Sequence, residues 1–160
     1  SSRRQMVDVI ERLPEDLQNM VLCQDDYQKA QLLKYHRQRV DQGLNSLIFG
    51  LASFAEGVDL PGRYCEHVLI AKIPFAVPDD PIEMTLSAWI EQQGQNPFMT
   101  LAVPDAAFRL VQASGRLLRS ESDFGRITLF DERLFTKRYG KQILASLPPY
   151  RQERIEIPDA

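Results

Sequence analysis

Apolar residues recur with a helical period near the start of the chain, where Met6, Val9, Ile10 and Leu13 share one face and Pro14 marks the end. A short apolar run, Met20–Cys23, suits a buried strand. From Tyr27 to Val40 the repeat of Ala30, Leu33, Arg37 and Val40 predicts a second helix stopped by Gly43. Leu47–Leu51 and Val68–Ala71 are continuous apolar runs, the pattern of parallel strands covered on both faces. Prolines then crowd in at Pro74, Pro78 and Pro81. Asp80-Pro81 reads as an N-cap and first-turn proline opening a helix through Trp89 to about Gln93, which Gly94–Pro97 breaks. A long helix is expected after Pro104 to about Arg119, then a strand at Ile127–Phe130 and a short helix before Leu147-Pro148-Pro149. Alternating strands and helices predict an α/β layer with a mostly parallel sheet.

At 160 residues the chain is expected to form one domain over 1–150, with a helical insertion at about 80–100 and a polar tail over 151–160. Its 44% hydrophobic and 26% charged composition is ordinary for a packed protein. No apolar run approaches the ~20 residues of a membrane span, no secretory signal is visible, and a cytoplasmic location is expected. The net charge of −3 argues against a nonspecific coat on nucleic acid, so any such contact needs a local basic patch. Lys137, Arg138 and Lys141 form one small cluster of that kind, which is equally the pattern of a solvated face. Cys23 and Cys65 lack metal-ligand spacing and are expected to be free thiols. His36 and His67 have no metal-ligand partners at usable spacing, and no metal site is expected.

Two segments carry candidate chemistry. Directly after the run at 47–51 comes Ser53-Phe54-Ala55-Glu56-Gly57-Val58-Asp59-Leu60-Pro61-Gly62. Ligands of open α/β sheets bind just beyond the carboxyl ends of strands. The segment offers a hydroxyl, two carboxylates and glycines that permit close backbone approach. A plain polar connection with turn glycines has the same composition. The second segment is Gln112-Ala113-Ser114-Gly115-Arg116-Leu117-Leu118-Arg119-Ser120. At about 100° per residue, Gln112, Arg116 and Arg119 fall within about 60° of one another, opposite Ala107, Leu110, Ser114 and Leu117. Guanidinium forks suit phosphate oxygens, although an amphipathic surface helix also carries arginines this way.

Together, SFAEGVDLPG after a strand and QASGRLLRS on a later helix resemble motifs V and VI of superfamily 2 helicases, in the variant of the XPD and DinG branch. Ser1–Met6 is similar to the tail of motif IV. Lys72-Ile73-Pro74-Phe75 with Pro78 and Asp80-Pro81, and Asp131–Leu134 with Thr136–Gly140, match further segments of that branch in the right order. The resemblance covers nearly the whole chain. It implies a RecA-like three-layer second motor domain of an ATP-dependent helicase moving 5′ to 3′ on single-stranded DNA. Forked DNA, displacement loops and RNA–DNA hybrids in repair or replication would be substrates.

By position, Gln112, Arg116 and Arg119 would face the nucleotide, with one arginine reaching its terminal phosphate. Glu56, Gly57 and Asp59 would couple that site to DNA, and Ser2, Arg3 and Ser53 would contact the DNA backbone. ATP with Mg²⁺ would be shared with a first motor domain of the same protein. The family's 4Fe-4S cluster would belong to that first domain, with none in this chain.

No phosphate loop of the form G-x-x-x-x-G-K-[ST] occurs, so the chain alone is expected to be inactive. Ile127–Glu132 imitates a Walker B strand, read here as coincidence, with Asp131 in a local ion pair or cap. Trp89 is expected to pack within the insertion rather than to stack on a base. A catalytically inactive RecA-like interaction module is the alternative reading. A nuclease is the third, disfavoured by the lack of clustered carboxylates.

Overall fold

The computed structural model describes residues 2–76, 80–116 and 123–156. It divides into two compact units, Ser1–Pro74 with Gln112–Asp131, and Phe75–Val111 with Glu132–Ala160.

In the first unit, helix α1 (Arg3–Arg12) starts at Ser2, whose hydroxyl accepts from the Gln5 amide at 3.2 Å. That bond satisfies one of the amides a helix start leaves orphaned. A single helical turn, α2 (Glu15–Gln18), leads into strand β1 (Val21–Cys23). Helix α3 (Lys29–Asp41) ends where Gly43 takes a positive φ of 74°. Strand β2 (Leu47–Phe49) follows and pairs in parallel with β1, Val21 opposite Leu47. After the turn α4 (Ala52–Ala55) and a 3₁₀ turn at Gly62–Tyr64 comes strand β3 (His67–Ile70). It pairs in parallel with the later strand β4 (Arg126–Leu129), His67 opposite Arg126. Every paired strand among the described residues is thus parallel, and helices separate the partners, as an α/β fold requires. Buried Met6, Leu22, Cys23, Leu32, Leu60 and Ile73 supply this unit's core.

The second unit begins with α5 (Pro81–Gln92), opened by Asp80, whose carboxylate accepts from the Ile82 amide at 2.7 Å with Pro81 in the first turn. That matches the sequence expectation closely. A π-helical turn at Phe98–Ala102 runs directly into α6 (Val103–Ser114). Two further helices, α7 (Arg133–Thr136) and α8 (Arg138–Ala145), follow among the described residues. Ile90, Val103, Ala106, Ala107, Leu110, Leu134 and Ile143 are its buried apolar residues. Gly140 is buried where a Cβ would collide with the Arg133 and Leu134 carbonyls, so only glycine lets α8 lie this close to α7. Beside it, the Phe75, Phe98 and Tyr139 rings form a cluster with centroids 5.2–5.8 Å apart, and Arg133 sits 5.5 Å over Phe75.

Three expectations need correction. Helix α6 ends at Ser114, not near Arg119, because Gly115 and Arg116 form a turn. Glycine is a poor helix former and common just past a helix end. On α3 the buried pair is Leu32 and His36, whereas Ala30 and Arg37 are not buried. A count of apolar positions passes over a buried histidine that satisfies both ring nitrogens, described below. Trp89 is 57% exposed rather than packed. Asp131 also reaches beyond its own segment, since its buried carboxylate accepts from the Ile73 amide at 2.8 Å. That bond ties the end of β4 to the chain leaving β3.

Candidate functional site

The segment Ser53–Gly62 leaves the carboxyl end of β2, as the sequence suggests. The Gln24 side chain, just past β1, accepts from the Leu51 amide at 2.7 Å and so fixes where the segment departs. Its course needs glycine at two places, Gly57 with φ 70° and Gly62 with φ 56°. Between them Leu60 is buried and anchors the loop to the core.

Three cations converge on the main-chain oxygens of this loop. The Lys29 ammonium donates to the Glu56 carbonyl and lies 5.3 Å from the centre of the Phe54 ring. The Arg37 guanidinium donates to the Asp59 carbonyl at 2.8 Å. Between these, Arg116 donates to the Val58 carbonyl at 3.1 Å. Hydrogen bonds from a charged donor are shorter and about twice as strong as neutral ones.

Further along, α3 continues to hold the same stretch. His36, only 6% exposed, bonds through Nε2 to the Tyr64 carbonyl at 2.7 Å and through Nδ1 to the Ser46 hydroxyl at 2.9 Å. The carbonyl can only accept, so Nε2 carries the proton and Nδ1 accepts from the serine. Burial lowers the His36 pKa below its ordinary 6.5. The Tyr64 carbonyl partly offsets this, and the charges of Arg37 and Arg39 add to the lowering. Asp41 then takes the Tyr64 hydroxyl at 2.8 Å and the Arg63 guanidinium at 2.5 Å.

The other sequence-derived candidates are distributed unevenly. Glu56, Gly57 and Asp59 all lie on the held loop, and Arg116 touches it. Gln112 is exposed on the last turn of α6. Arg119 and Leu117 lie outside the described residues, as do Ser1 and Pro78. Ser2 spends its hydroxyl on capping α1, and Arg3 pairs with Asp25 at 3.1 Å. Ser53 is exposed in α4, and Lys137, Arg138 and Lys141 are exposed at and after the start of α8.

Sequence reasoning misses Lys29 and Arg37 as site residues. The helical repeat claims Arg37, and nothing in the spacing of either residue singles out its carbonyl partner. His67 bonds to the Thr128 hydroxyl at 2.9 Å across the β3·β4 pair, a cross-strand role. No helix among the described residues is long and apolar enough to cross a membrane. Nor do three or more His, Cys, Asp or Glu residues gather among them as a metal-binding group.

A strand-end loop is thus held from one helix and touched by an arginine from another segment, and similarity to known proteins gives the family of the chain. Residues 1–150 match the family described as the helicase C-terminal domain, and the chain belongs to it. Within that family it is of the DinG type. It is 44% identical to the ATP-dependent DNA helicase DinG of Photobacterium profundum, over 132 residues that make up 82% of this chain and 19% of that protein. With DinG of Escherichia coli (strain K12) the identity is 41% over 144 residues, 90% of this chain and 20% of the relative. DinG of Salmonella typhimurium is 39% identical over 144 residues, again 90% of this chain and 20% of the relative. The chain therefore spans about a fifth of the length of these relatives.

Proposed function

We propose that this chain is the second, RecA-like motor domain of an ATP-driven DNA helicase, with the domain running over 1–150, an insertion at about 80–100 and a tail over 151–160. The observation that carries the reading is the bond from Arg116 to the Val58 carbonyl, which joins the motif VI segment to the motif V loop. A guanidinium is the right donor for the phosphoryl oxygens that gather charge during hydrolysis. Arg116, with Arg119 and Gln112, would supply the arginine finger. Glu56, Gly57 and Asp59 would pass the nucleotide state to the DNA track, on which Ser2, Arg3 and Ser53 would lie.

The donor set fits an anionic phosphate, and the Mg²⁺ of MgATP would be held together with the first motor domain. Any iron–sulfur cluster would belong to that domain as well. Single-stranded DNA, forks, displacement loops and RNA–DNA hybrids are the proposed substrates, with 5′ to 3′ movement.

Because one domain forms only one wall of the cleft, the 160-residue chain should release no phosphate from ATP, while the full-length protein should do so with DNA stimulation. Phosphate release by malachite green, with and without oligo-dT, tests this. Turnover by the chain alone would overturn the two-domain reading. A full-length protein without DNA-stimulated turnover would favour a binding module.

A further inference from the structure

We propose that Lys29 and Arg37, on α3, are positioning residues that hold the two flanks of the motif V loop, so that only its centre responds to the nucleotide through Arg116. The proposal rests on the motor-domain reading above and deepens it.

The three carbonyls gripped by cations are consecutive along the loop except for Gly57: Glu56, Val58 and Asp59. The outer two are held from one rigid helix of 13 residues. The middle one is held by Arg116, which stands in a turn after α6 rather than within the helix. Flank and centre therefore have different owners.

A phosphate oxygen competes directly with a carbonyl for a guanidinium, and it carries the greater negative charge. When Arg116 turns to phosphate, the Val58 carbonyl loses that donor. With Glu56 and Asp59 pinned, rearrangement is confined to the peptide units at Gly57 and Val58. The first is a glycine already at a positive φ, and so able to change dihedral at little steric cost. Without the pins the same exchange would dissipate along the whole loop. A loss of preorganisation at one remove from the chemistry can cost about 10²-fold in rate.

The test uses the full-length protein that carries this chain. Lys29→Met and Arg37→Gln are compared with wild type for kcat and KM of oligo-dT-stimulated ATP hydrolysis. Hydrogen exchange of peptides spanning residues 53–62 and thermal melting are measured alongside. We expect kcat to fall about tenfold or more with the KM for ATP within about twofold. Exchange should rise at least about fivefold at 56–59, with little change in melting temperature. Lys29→Arg, which keeps a donor of similar reach, should restore both kcat and protection.

Unchanged exchange would overturn the proposal. So would faster exchange at normal kcat, or a general drop in melting temperature without local exchange, since each leaves the lysine and arginine as ordinary surface fastenings. A wild-type protein without DNA-stimulated hydrolysis would sink the motor-domain reading instead, and exchange would still decide whether α3 holds the loop.

Discussion

The two units hold their motif segments by opposite means. In the first, the loop after β2 is fastened by side chains of exposed or half-buried cations that donate to carbonyls. In the second, the Thr136–Gly140 segment is fastened by shape. Leu134 and Ile143 are fully buried, Gly140 admits no side chain, and aromatic rings close around Tyr139. Charged bonds at a surface can be exchanged for another partner without opening a core. Close packing cannot, because moving one residue leaves a void or a clash. The difference separates a part suited to switching from a part suited to bracing.

The largest effect that sharpens this contrast should come from the exchangeable side. In the full-length protein, Arg116→Ala is expected to lower DNA-stimulated ATP turnover by about 10³–10⁵, the range for a lost arginine finger. Arg119→Ala should behave alike if both arginines serve the nucleotide. Nucleotide-free DNA affinity should hardly change, and melting temperature should fall by no more than the loss of one hydrogen bond to the Val58 carbonyl allows. Steady-state ATPase, a binding isotherm over a salt series and a melting curve read the three quantities. Normal turnover would reduce Arg116 to a loop fastening.

The bracing side should fail differently. Gly140→Ala puts a methyl group against the Arg133 and Leu134 carbonyls, which cannot rotate away as a side chain could. Overpacking of this kind costs about 3 kcal/mol. Denaturant unfolding should show the loss in full. A variant as stable as wild type would mean that α7 and α8 separate easily, and the contrast would break.

A smaller effect should appear with pH. The His36 pKa is lowered in the folded state, so the unfolded chain binds the proton first as pH falls. Stability from the neutral, doubly bonded ring is complete above the ordinary value of 6.5, and is lost as pH drops below it toward the lowered pKa. Melting temperatures should thus decline on acidification below that value, and His36→Gln should decline less over the same interval. Equal slopes in both proteins would place the acid sensitivity elsewhere.

Much of this architecture can be read from residue order. All four strands among the described residues lie within one or two residues of the apolar runs, although β3 is not covered on both faces as its run suggests, since His67 and Leu69 are exposed. The start of α5 is legible because Asp80-Pro81 states both cap and first turn. The loop after β2 is legible from its place at a strand end. What escapes notice is the grip on that loop. Lys29 and Arg37 reach carbonyls 27 and 22 residues away, and a carbonyl is the same at every residue. His36 escapes for a related reason, since one of its two bonds also ends on a carbonyl. The end of α6 is misread because the helical spacing of Gln112, Arg116 and Arg119 continues past Gly115, where the helix has stopped.

A hold on main-chain oxygens has a consequence for genetics. It does not depend on which side chains the loop carries at positions 56, 58 and 59. Substitutions there leave the three fastenings their acceptors, so a mutational scan of the loop would report what those side chains do themselves. A scan of α3 would report the grip. The two halves of one mechanism would then appear in such data as unrelated sets of sensitive positions, with no compensating pairs to reveal that they touch.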